Sequence, residues 1–222
     1  MIGLTACSLP IPGKAQQNLF NVPSSEITQE NTVFFQQQFN FAKSDTSNTT
    51  IDYGLGNNLE VGINLFNVNL YTPSDTVANP NFLLNFQKAF NITAAYKISF
   101  GTQTGFTPPV HNNSLQIPSF SYFSNAVDWA RLGKYYLGAY YANSAYAGSN
   151  DAIGLMAGVE LPMLENKVHL MGDLLSGNND IGVAVIGLVF YLSDNWQLSI
   201  GAQLPPPNSH NDFGTVFEIT KL

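Results

Sequence analysis

Few side chains in this 222-residue chain could do covalent or metal chemistry: three histidines (His111, His169, His210) and one cysteine (Cys7), among fifteen carboxylates. A nucleophilic hydrolase needs a serine beside a histidine that a third polar group orients. His169 alternates with Lys167 and Asp173 in KVHLMGD. No spacing joins it to Ser99, Ser176 or Ser199, so no catalytic residue is expected. His111 and His210 lie in stretches rich in Pro and Asn and read as solvated loop residues. Metal binding would need His and Cys clustered at ligand spacing, and no such cluster or cofactor is expected. Ser176-Gly177-Asn178-Asn179-Asp180 offers oxygens but lacks the spaced acidic ligands of a calcium loop, so it reads as a hairpin turn. No phosphate-cradling glycine motif occurs; Gly54 and Gly56 read as strand-end and turn glycines.

What the pattern does align is a set of polar side chains on one face of alternating segments. Asp52, Glu60, Lys97, Lys134, Glu160, Lys167, His169, Asp173 and Glu218 fall there, with Gln36, Gln38, Asn85, Gln87, Gln103, Gln197 and Gln203. Lys134, Glu160 and Lys167 lie on three consecutive segments near short connections, which predicts a charge cluster at one mouth of the fold.

The elements that must position this set are strands. Period-2 alternation bounded by turn residues predicts twelve, near residues 32–42, 49–55, 59–70, 82–90, 92–105, 115–127, 132–142, 152–161, 167–175, 181–192, 196–204 and 213–221. In WQLSIGAQL, Trp196, Leu198, Ile200, Ala202 and Leu204 oppose Gln197, Ser199, Gly201 and Gln203. Residues 181–192 are apolar on both faces and do not discriminate. Connections alternate in length. Those at Gly56-Asn57-Asn58, Asn91, 128–131, 162–166 and 193–195 are tight; KSDTSN, TPSDTVANPN, FTPPVHNN, NSAYAGSN, SGNND and PPPNSHND are mostly longer.

Only 10% of residues are charged, against roughly 25% in soluble domains, and Asn and Gln outnumber the charged residues. A β-sandwich would carry charge on its solvent face. No apolar run of about 18 residues exists, which excludes a transmembrane helix and leaves a β-barrel as the way to span a bilayer. The fold expected is therefore an all-β, up-and-down antiparallel transmembrane β-barrel of about twelve strands over residues 31–222. Its short turns would be periplasmic and its long loops outward. Aromatics near both ends, Tyr53, Phe90, Trp129, Tyr191 and Trp196 at one and Tyr71, Phe106, Tyr141 and Phe213 at the other, predict two interfacial girdles. Residues 1–15 read as the remnant of an export signal, with lipidation at Cys7 an alternative. Residues 16–30 read as a periplasmic lead or a plug folded into the lumen. A formal net charge of −7 excludes a nucleic-acid partner, whose phosphates need a basic patch.

The hairpin IDYGLGNNLEVGI, with GLMAGVELPMLENKVHLMGDLLSG and LVFYLSDNWQLSIGAQLPPPNS, resembles hairpins of the bacterial outer-membrane barrel family described as transporters of the MetA pathway of phenol degradation. The resemblance implies an outer-membrane barrel that moves small, often hydrophobic compounds; it carries over no catalytic residue. The expected function is a porin-like channel for passive uptake of small, hydrophobic or aromatic solutes, with outer-membrane lipid and solute as partners. The alternatives are a membrane-embedded lipid-modifying enzyme and a soluble lipid-binding barrel.

Overall fold

The computed structural model describes residues 18–71, 79–109, 114–129, 132–164, 167–206 and 211–222. Twelve strands follow in chain order: β1 (Val33–Phe41), β2 (Asp45–Gly56), β3 (Leu59–Tyr71), β4 (Asn81–Asn91), β5 (Tyr96–Phe106), β6 (Ser119–Trp129), β7 (Gly133–Ala142), β8 (Ile153–Leu164), β9 (Val168–Leu175), β10 (Val183–Tyr191), β11 (Trp196–Leu204) and β12 (Gly214–Lys221). A single helical turn, α1 (Ser144–Ala147), sits between β7 and β8. Each strand pairs antiparallel with its sequence neighbours, and β1 pairs with β12 from Phe35 opposite Lys221 to Phe41 opposite Thr215, closing the barrel. Closure leaves each strand paired on both sides along most of its length, so the ladder N–H and C=O groups there bond within the sheet, apart from register shifts in β2–β3 and β8–β9.

Strand signals in the sequence fix these elements to within a few residues, with three instructive shifts. β2 begins at Asp45, so the first long-end connection is only residues 42–44, and Thr46, Ser47 and Asn48 of the anticipated loop are paired with β1. β6 begins after Pro118, which has no N–H to give a ladder. β8 runs on through Pro162 to Leu164, with a register shift against β9 between Pro162 and Leu164. The tight Gly56-Asn57-Asn58 turn has positive φ at both asparagines, 52° and 55°, the geometry that matches strand twist in a two-residue hairpin.

Polarity is inverted relative to a soluble barrel. Outward positions on β4 and β8 carry Phe82, Leu84, Phe86, Ile153 and Leu155, with Leu84 66% and Leu155 62% exposed. Inward positions are buried and mostly polar on β1 to β5, among them Gln36, Gln38, Thr50, Asp52, Glu60, Asn64 and Gln87. From β6 to β12 the interior is more apolar: Tyr122, Tyr136, Tyr140, Met156, Met171, Val185, Val189 and Val216 form one cluster. Residues 181–192, undecided in the sequence, resolve with Val183, Val185 and Val189 inward and Ile186 outward. Tyr191 also turns inward, its hydroxyl on Glu160, so it leaves the girdle assigned to it. Lys88, alone on an apolar face, donates to the Asn57 carbonyl in the adjacent turn and lies 5.7 Å from the Phe90 ring centroid. This is a lysine reaching from an apolar stripe to a polar rim.

Candidate functional site

Barrels of about eight strands are filled by their own side chains, and those of sixteen or more stay open. Twelve strands leave an interior too wide for the wall to fill, and here residues 18–30 occupy it. Leu19, Phe20, Val22, Ser24 and Ser25 are each 2% exposed or less. Leu19 and Phe20 lie against inward glycines of the wall. A Cβ on Gly158 would overlap Leu19 Cδ1, and one on Gly201 would stand 2.9 Å from the Phe20 ring. The segment enters across β2 at Gly54, where a Cβ would strike the Thr28 and Gln29 carbonyls, and Asn31 N–H donates to the Gly54 carbonyl at 2.9 Å. Close backbone approach, rather than strand-end geometry, is why residue 54 is glycine.

The polar wall residues hold this segment at four levels. Glu60 accepts from Thr28 N–H at 2.7 Å and from the Thr28 hydroxyl at 2.9 Å. Glu26 lies between two ammonium groups, Lys97 of β5 and Lys134 of β7, the latter at 3.4 Å. Gln87 donates from Nε2 to the Ser24 carbonyl at 2.7 Å and accepts at Oε1 from the Tyr122 hydroxyl, while Ser99 donates to Ser25. Deeper in, the Asp173 carboxylate accepts from Asn21 N–H and, at 2.9 Å, from Val22 N–H. A short irregular segment has no ladder to satisfy its amides, so a buried one needs such partners.

The nine candidate residues thus divide by what they touch. Glu60, Lys97, Lys134 and Asp173 grip the segment. Asp52 is buried against Asn85 Nδ2 and takes no part. Glu160 stands opposite Lys134 in the β7–β8 register and bonds His169 Nδ1 and the Tyr191 hydroxyl, each at 2.6 Å. Lys167 is exposed just before β9 and does not join that group, since its position ahead of the strand keeps it at the turn rim. Glu218 is fully buried opposite Ser199 and Gln38. Among the described residues, neither of its carboxylate oxygens has a hydrogen-bond partner. His169, packed on Tyr191 with ring centroids 4.7 Å apart, is held by a carboxylate and not by a serine. His111, His210, Cys7 and residues 1–15 lie outside the described residues. Glu26 was not singled out by its pattern, because the segment carrying it has no period. The legible signals were the apolar Leu19, Phe20 and Val22 ahead of the barrel and lumen-face glycines at 158 and 201.

Two cavities of about 340 Å³ each flank the segment. One opens at the loop end and has Asn18, Phe20, Asn21 and Pro23 as its floor. The other, at the turn end, is lined by Ser25, Glu26, Ile27, Asn58 and Lys97. The loop-end rim is stitched by amides. Asn143 caps α1 and accepts from Ser119 N–H at 3.0 Å, Asn179 donates to Tyr140 and to the Asp151 carbonyl, and Asn211 donates to the Asn179 and Gly182 carbonyls.

This is a closed, twelve-stranded, up-and-down antiparallel barrel, apolar outside and polar within. Solved structures share that fold: a KdgM porin in complex with disordered oligogalacturonate (TM-score 0.62) and a KdgM porin alone (0.61). Each is 8% identical, over 85% of this chain and 98% of the porin. No family model and no curated protein matches the chain, so the resemblance to the MetA-pathway transporters gains no support from those comparisons.

Proposed function

We propose that this chain is an outer-membrane, porin-type channel for passive passage of small solutes, closed at rest by residues 18–30 acting as a plug. The observation that carries the reading is the grip of Glu60, Asp173, Lys97 and Lys134 on an irregular segment inside a barrel that its own wall cannot fill. The apolar exterior, with Trp129 against Tyr135 and Phe90 against Phe100 at the turn end and Phe82 stacked on Phe106 at the loop end, supports insertion with aromatic belts at both interfaces. Tight turns then face the periplasm and the longer connections face outward.

The plug divides the lumen, so passage requires it to shift or leave. The family resemblance implies hydrophobic or aromatic solutes, but the loop-end cavity sets amides and hydroxyls from β1, β2, β4 and β5 opposite Phe120, Leu175, Ile181 and Val183, which supports solutes that are polar on at least one face. A lipid-binding barrel would need the reverse polarity, and a lipid-modifying enzyme draws no support from His169, whose Nε2, the nitrogen that would face a nucleophile, is buried with no hydrogen-bond partner among the described residues. The test is conductance of the full chain in planar bilayers beside Glu26→Gln. Brief openings that lengthen or multiply in the variant support the reading; silence of both proteins, when correctly inserted, overturns it.

A further inference from the structure

We propose that the loop-end vestibule binds an uncharged polyhydroxylated solute, by class a neutral oligosaccharide, and discriminates against acidic sugars. The inference rests on the channel reading and names the solute that such a channel would take.

Its wall presents an unusual density of side-chain amides, among them Gln36, Gln38, Asn40, Asn81 and Gln103. Each amide carries two N–H donors and a carbonyl with two lone pairs, so a row of them offers donors and acceptors side by side. A sugar hydroxyl is itself both donor and acceptor and matches such a row. Gln36 is held loosely, with Asn18 at 3.4 Å and Thr220 at 3.5 Å, at the weak limit of hydrogen-bond geometry; Gln38 bonds Asn40 at 2.8 Å and Asn81 accepts from Thr107, and each of these amides has further donor or acceptor positions.

One side of the cavity adds aromatic surface. Phe120 stacks on Tyr146 with centroids 5.2 Å apart and planes 24° from parallel, and both line the cavity. The Tyr146 hydroxyl donates to Gln103 at 3.2 Å. A ring beside an amide suits a pyranose, whose C–H face is apolar and whose rim is hydroxylated. At about 340 Å³ the space lies in the lower part of the range for small-molecule sites, roughly 300–1,000 Å³, enough for a short saccharide.

Charge decides between neutral and acidic sugars. Among the described lining residues there is no Lys, Arg or His, while Asp180 and Asp212 are present. In sequence, Lys43 is the single Lys or Arg in the loop-end connections. Lys88, Lys97, Arg131, Lys134, Lys167 and Lys221 all fall at or near the turn end. Among the described lining residues a carboxylated sugar would meet two carboxylates and no guanidinium or ammonium partner of the kind that binds carboxylates strongly; the nearest cation in sequence is Lys43, between the lining residues Ala42 and Ser44. The cavity floor is the plug itself, at Asn18 and Asn21, so a bound saccharide would touch the element that closes the lumen.

The test is calorimetric titration of the full chain in detergent micelles with maltotriose, raffinose, cellobiose and digalacturonate. At least one neutral sugar should bind, and digalacturonate should bind about tenfold more weakly or not at all. Gln103→Leu should weaken the neutral sugar about fivefold or more, by removing a half-buried polar partner. Asp212→Lys, at an exposed position of the lining, should raise digalacturonate affinity about fivefold or more. Binding of digalacturonate as tight as any neutral sugar, or no binding by all three neutral sugars, overturns the inference. Conductance of the same preparation is scored separately: channel openings without sugar binding overturn this inference alone, and sugar binding without openings supports it while overturning the channel.

Discussion

Glu26 is where a single substitution should most directly report on the plug. Its carboxylate side chain is 12% exposed and sits between Lys97 and Lys134, whose side chains are 30% and 22% exposed. In Glu26→Gln the shape and much of the packing persist, but both ion pairs are lost and each ammonium faces an uncharged amide. An exposed ion pair is worth about 0.2–1 kcal/mol, and a hydrogen bond to a charged group about 1.5–3 kcal/mol. Because both lysines keep some access to water, the loss should be about 1–3 kcal/mol in all, which multiplies the open-to-closed ratio by roughly 5 to 150. The apolar anchors Leu19, Phe20 and Val22 remain, each stabilising the docked segment by up to about 1.5–3 kcal/mol, so the variant should still close. The assay is single-channel recording, with the ratio of open to closed time as readout. Raising the salt from about 0.15 M to 1 M shortens the Debye length from about 8 Å to 3 Å. It should therefore narrow the gap between parent and variant by opening the parent. A ratio within about twofold of the parent at low salt would refute the argument that this ion triad holds the plug.

Three further outcomes follow from other parts of the structure. Gly158→Val should dislodge Leu19, whose Cδ1 a new Cβ would overlap, and raise open time in the same recordings; Gly172→Ala, where the nearest atom lies 3.4 Å from the added carbon, should change nothing. Leu137→Arg places a charge at a 58% exposed position in the middle of β7 and should cost about 2–4 kcal/mol in urea unfolding from lipid vesicles, while Leu137→Ala costs far less. Glu218→Gln replaces a fully buried carboxyl group, set opposite Ser199 and Gln38, by an amide of the same shape. Equilibrium unfolding should show stability within about 1 kcal/mol of the parent or above it, and a clear loss would show that the carboxyl has a partner in the folded state that an amide does not match.

Much of the barrel was written in the order of residue types. Alternation places Ile51, Tyr53 and Ile63 outward and Asp52, Glu60 and Asn64 inward, because a strand has a strict period of two and a one-residue slip would turn every side chain over. Paired asparagines that tolerate positive φ set the first hairpin. Scarce charge on the apolar stripes points to lipid. None of these local rules says what fills the middle. That depends on strand number through closure, and closure is a property of the whole sheet: twelve strands leave a gap, and the nearest chain able to fill it is the lead. The aperiodic run from Asn18 to Glu30 could not reveal its partners. Thr28 meets Glu60, Glu26 meets Lys97 and Lys134, and Asn21 meets Asp173 across separations of 32 to 152 residues. Which way the doubly apolar strand β10 faced, and hence that Tyr191 bonds Glu160 instead of joining a girdle, was likewise fixed by its register against β9 and β11. Period and turn chemistry determined the wall; the tertiary structure decided the contents of the lumen, because contacts between distant strands and an irregular segment leave no periodic trace in the chain.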